Sequence, residues 1–163
     1  MSTLVFQKQP FKGPRKIGEL LYAADLISVA QLETALYEQT QFETMLLGEI
    51  LAFHGWISQT TADFFGSQWH EVVAKSVKNK IGSYFQAAGL LDATVIDRLL
   101  EEQHHTGMRL GALAVLNGSL KQGTLDFFLQ QLFPARAGEP PYQRATYSGE
   151  QKEDAEDEIP WVG

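Results

Sequence analysis

The stretch Met108 to Gln131, MRLGALAVLNGSLKQGTLDFFLQQ, decides the fold, because three diverged copies of it stand upstream in the same chain. Aligned on one glycine, the copies place Gly18, Gly48, Gly82 and Gly111 in an anchor column. Asp25, Gly55, Gly89 and Gly118 follow seven residues later. Two residues before the anchor stand Lys16, Leu46, Lys80 and Arg109. Fourteen and eighteen residues after it stand Leu32 and Leu36, Ala62 and Gly66, Ile96 and Leu100, and Leu125 and Leu129. These two positions are one helical turn apart and therefore share a helix face. Gln39, Trp69, Gln103 and Leu132 close the four copies. A period of this length normally encodes a two-helix unit that cannot bury its apolar face alone. The anchors lie 30, 34 and 29 residues apart, which groups the copies into two pairs. The expected fold is all-α, two four-helix units in tandem.

Four segments follow from this reading. Residues 1–15 hold Pro10, Gly13 and Pro14 among three basic residues and read as a flexible basic arm, whose Leu4, Val5, Phe6 and Phe11 can dock on the body or on a partner. Residues 16–78 form the first repeat pair and 79–134 the second. Residues 135–163 form a disordered acidic tail, and its apolar tip places Trp161 as a candidate anchor for a partner's pocket. Ser28 with Gln31 makes a capping box, and Ser58 and Asp92 stand in the equivalent cap positions. Lys121 takes that place in the fourth copy, where it neither caps nor suits the positive end of a helix dipole, so the last helix is expected to begin near Ser119. No proline interrupts the pattern from Ser58 to Lys78, which predicts a helix of about five turns joining the two pairs. Phe64, Phe65, Trp69, Val72, Val73 and Val77 are expected to fill core along it. Gly66 in that helix suggests close approach of another helix.

Composition limits the function. The chain has 163 residues, 44% of them apolar, and lacks a run long enough for a membrane span or a secretory signal. With no cysteine it has no disulfide, thiolate metal site or cysteine nucleophile, which fits a cytoplasmic protein. A net charge of −7 makes it a poor partner for nucleic acid, whose binding draws on phosphate neutralisation. Membrane insertion is not expected.

Enzymatic signals are sparse. There is no Walker A loop, no GxGxxG after a strand and no GxSxG. His70-Glu71 begins like a zinc-protease motif, but Ala74 stands where its second histidine belongs. The run from Glu101 to His105 contains two overlapping Glu-x-x-His spacings without the second such helix that a di-iron bundle needs. It reads as a solvated helix end. Neither catalytic residues nor a metal site are expected.

The columns themselves carry a resemblance. An Arg-Leu-Gly opening, a glycine seven residues later, two apolar residues, then leucines four apart and a closing glutamine resemble the repeat of the MshEN domain, the N-terminal domain of type II secretion and type IV pilus assembly ATPases. In that family two motifs about five residues apart form a helical unit that binds cyclic di-GMP. Lys80 to Gln103 followed by Arg109 to Leu132 matches closely, and Lys16 to Gln39 followed by Leu46 to Trp69 more loosely. The resemblance implies a regulatory domain standing without its ATPase, with cyclic di-GMP as ligand in place of any cofactor. It puts the ligand on Lys80, Gly82, Gln103, Arg109, Leu110 and Gly111, with Lys16, Gly18, Gln39 and Gly48 as a weaker second site. The chemistry is sound: a guanidinium pairs two ways with a guanine edge or a phosphate, and a small neighbour lets the ligand reach backbone N–H groups. Against it, one arginine stands in the cation column beside two lysines, which lack the planar fork, and Leu46. The alternative is an adaptor that keeps the fold, has lost the nucleotide and works through protein partners such as a pilus or secretion ATPase.

Overall fold

A computed structural model describes residues 16–136 and 140–141, and among these every regular element is a helix. The arm, most of the tail and Trp161 lie outside the described residues. Each copy contributes a seven-residue first helix and a second one: α1 (Ile17–Ala23) and α2 (Val29–Gln41), α3 (Leu47–Phe53) and α4 (Gln59–Asp63), α6 (Ile81–Ala87) and α7 (Ala93–Thr106), α8 (Leu110–Leu116) and α9 (Gln122–Leu132). In the second copy α4 continues through a π-helical turn, Phe64–Gln68, into α5 (Trp69–Ala74).

The marker column has a backbone cause. Gly55, Gly89 and Gly118 have φ of 78°, 72° and 76°, and Asp25 has φ of 61°. The turn between the helices of every copy requires the left-handed region, where glycine costs least and aspartate is among the tolerated exceptions. The anchor column has a packing cause in three copies. A Cβ on Gly18 would stand 2.8 Å from Leu32, on Gly48 3.1 Å from Ala62 and on Gly111 2.5 Å from Leu125, each the residue fourteen places on. The glycine lets the second helix of a copy lie against the first.

Ser28 and Asp92 cap as expected, accepting from the N–H groups of Gln31 and Val95 at 3.1 and 2.9 Å, and Ser58 does the same for Thr61 at 3.1 Å. The start near Ser119 is corrected: α9 begins at Gln122, with Lys121 in extended conformation before it. Lys121 serves a different purpose, since its ammonium donates to the Asp25 carbonyl at 3.2 Å.

The long linking helix is also corrected. The helical run ends at Ala74, where Lys75 turns to φ −69° and ψ 132°. Val77 is 82% exposed, so it fills no core. What joins the pairs is a shared interior. Phe64, Phe65 and Trp69 of the first pair meet Phe127 and Phe128 of the second, with ring centroids 5.2 to 6.4 Å apart, and Phe85 reaches Phe128 at 4.8 Å. Buried apolar residues from all four copies form one cluster.

That interior obeys a repeat symmetry. The buried Thr61 hydroxyl of copy two donates to the Ala88 carbonyl of copy three at 2.7 Å, and the buried Thr124 hydroxyl of copy four donates to the Ala24 carbonyl of copy one at 2.7 Å. Both threonines stand thirteen residues past their anchors and both alanines six. Within the pairs, His54 meets the Glu38 carboxylate at 2.6 Å and Asn117 donates to the Glu102 carboxylate at 3.0 Å, again at matching positions. Glu102, part of one of the Glu-x-x-His spacings, is thus a strut between α7 and the end of α8.

Candidate functional site

The two helix pairs offer clefts of different character. In the first pair, the starts of α1 and α3 and the faces of α2 and α4 enclose an open cavity of about 920 Å³. Lys16, Gly18, Gln39 and Gly48, the weaker site in the sequence reading, all line it. Its floor is apolar, with Ile17, Leu32, Leu36, Leu47 and Phe65. Its polar wall is acidic: Glu19, Glu49 and Asp63 stand there with a single ammonium, that of Lys16, and with His70.

Two of those carboxylates also occupy the backbone donors that a bound anion would need. Glu19 accepts from the Lys16 N–H at 3.1 Å and Glu49 from the Leu46 N–H at 2.8 Å. The cap that stabilises each short helix therefore places a negative charge at the mouth of the cavity. Asp63 accepts from the Gln59 amide at 2.8 Å. Gln39 points its amide at the Met45 carbonyl at 3.5 Å.

The cavity exists because of two small side chains and one backbone irregularity. Ala62 and Gly66 occupy the columns that Leu125 and Leu129 fill in the fourth copy. The π-helical turn carries Gly66 and Ser67, both exposed, and both line the space. The close helix approach expected at Gly66 is corrected: the nearest atom to a Cβ there is Ile17 Cδ1, at an ordinary 3.5 Å. Single-turn π segments recur at functional positions because they widen a helix locally.

In the second pair the cleft is about 50 Å³. Of the residues that the resemblance assigns to the better site, Arg109 and Gly111 line it, together with Ile81, Ala112, Leu125 and Leu129. Lys80, Gly82, Gln103 and Leu110 do not. Lys80 is the exposed residue before α6, Leu110 is buried with its methyls 3.7 Å from the Cβ position of Gly82, and Gln103 is half-buried on α7. The cleft carries Arg109 and Arg136, with no carboxylate among the described lining residues. Ser83 and Ala112 stand where the first pair has Glu19 and Glu49. Chain beyond the repeats closes it: the Pro141 carbonyl accepts from the Arg109 N–H at 2.6 Å and the Pro140 carbonyl from Arg109 Nε at 3.3 Å.

Glu19, Glu49, Asp63 and His70 were not singled out as site residues by sequence. A glutamate one place after the anchor in copies one and two was the available signal. The contact of Pro140 and Pro141 with Arg109 has none. No grouping of three or more histidine and acidic side chains able to hold a metal occurs among the described residues, and no described helix is long and apolar enough to cross a membrane.

An uncharacterized protein of Picosynechococcus sp. is 39% identical over 131 residues, which cover 80% of this chain and 71% of that protein. No described protein family matches the chain, and no solved structure does.

Proposed function

We propose that this chain, which belongs to the same family as the Picosynechococcus protein, is a non-enzymatic cytoplasmic regulator that docks a protein partner in the cavity of its first helix pair. The observation that carries this reading is the charge of that cavity. Three carboxylates face one lysine over an apolar floor, in a space of about 920 Å³. A cyclic dinucleotide brings two phosphates, which such a wall repels. A protein segment with apolar and cationic side chains matches both features of the cavity.

The likeness of the repeats to MshEN domains says where to look for the partner, in type IV pilus or type II secretion machinery, with the assembly ATPase first. The test places a benzoylphenylalanine photo-crosslinker at Leu36, inside the cavity, or at Leu129 in the second cleft, and irradiates the full chain with the purified assembly ATPase. Cross-linking from position 36 and not from 129 is the expected result. Equal cross-linking from both, or none from either, would remove this partner.

Arg109 favours a second reading. It is the one arginine of the cation column, and its cleft carries no acidic lining residue among those described. If Pro140 and Pro141 are displaced, this cleft is the electrostatically suitable seat for cyclic di-GMP. Calorimetry decides it: heat that disappears with Arg109→Ala supports a nucleotide receptor, whereas no heat at high micromolar ligand eliminates one.

A further inference from the structure

We infer that the chain's own residues 4–15 occupy the first-pair cavity and compete there with the partner. The competition rests on the docking reading above; the occupancy does not. Lys16 both lines the cavity and receives the end of this segment, so the segment starts at the rim. Its chemistry complements the wall: Lys8, Lys12 and Arg15 are unaccompanied by any acidic residue, facing Glu19, Glu49 and Asp63. Phe6 and Phe11 supply apolar bulk for the floor.

Reach is sufficient. Phe11 is five residues from Lys16, and an extended chain of that length spans roughly 17 Å. A ligand tethered this closely meets its site at an effective concentration of order millimolar, so even a weak contact is well populated. The other cleft is a poor destination, because it carries two arginines and is already closed by Pro140 and Pro141. That closure is also a precedent inside the molecule: a segment outside the repeats covers the cleft of a helix pair.

The absence of cysteine in the sequence makes the test clean. A nitroxide on Gln7→Cys in the otherwise intact chain is read by amide broadening without any partner present. Resonances of Leu36, Gly66 and their cavity neighbours are expected to lose most of their intensity, while those of Ala112 and Leu129 keep theirs. The combined K8E, K12E and R15E changes should restore the lost signals. Uniform broadening, none, or broadening centred on the second cleft would overturn the inference. So would equal broadening when labelled and isotope-enriched chains are separate molecules, which would assign the segment to a second copy. Because no partner is present, failure here leaves the cross-linking at Leu36 to judge the docking reading independently. If both hold, the three charge reversals raise that cross-linking several-fold.

Discussion

In the second helix pair, Leu125 leans on Gly111 and, with Leu129, leaves a cleft of about 50 Å³. In the first, Ala62 and Gly66 stand in the same columns and leave about 920 Å³. Helix order and the left-handed turns are shared. The difference teaches that the repeat fixes the frame while two side-chain truncations, a π-helical turn and the covering Pro140 and Pro141 decide how much open space each pair holds. Truncating a buried leucine to alanine ordinarily costs about 2–5 kcal/mol, so the first pair forgoes stability that the second retains. Charge divides the same way, with carboxylates after the anchors in one pair and serine or alanine in the other.

The comparison breaks most decisively at Phe128. It is fully buried and touches rings from both pairs, so Phe128→Ala should cost about 3–5 kcal/mol. Denaturation followed by fluorescence and by circular dichroism should still give coincident transitions; two separate ones would mean that the pairs are independent domains. A middle-sized effect tests the symmetry. A Cβ on Gly89 would stand 3.0 Å from Thr60, whereas at the matching junction it is Gly123 whose Cβ position is crowded by Asp25, the large and small residues exchanged. Gly89→Asp alone should destabilise by about 1–3 kcal/mol through backbone strain and crowding. Adding Thr60→Gly should offset part of that loss, with a coupling of about 0.5–3 kcal/mol in a denaturant double-mutant cycle; additive losses would deny that the junctions are equivalent. The smallest effect sharpens the difference between the clefts. Gly66→Ala meets only Ile17 at 3.5 Å, gains helix propensity and should stabilise by up to about 1 kcal/mol, read as a rise in Tm. A fall would mean that the π-helical turn needs glycine.

Much of the frame was legible because its causes are local. The marker glycines answer to a left-handed turn, and Ser28, Ser58 and Asp92 answer to unpaired helix N–H groups. What escaped depends on distant residues. Lys121 looks misplaced as a cap until its ammonium is seen on the Asp25 carbonyl, and nothing near Ala74 announces that the helix stops there. The assignment of Lys80, Gln103 and Arg109 to the better site followed the cation and glutamine columns of the resemblance. Whether those groups line one space depends on how Leu125 and Leu129 fill it. Ala62 and Gly66 were visible in their columns, but the volume they release appears only when α1, α2 and α3 surround them.

The threonine bonds carry one more consequence. Copy one pairs with two, two grips three, three pairs with four, and Thr124 returns the chain to copy one. The contacts close into a circuit. Open superhelical arrays grow by stacking another unit on an exposed end and need specialised capping units to stop. Here both junction surfaces of every copy are already engaged, so a fifth unit would have nowhere to attach without prying Thr124 from Ala24, and the number four is built into the geometry.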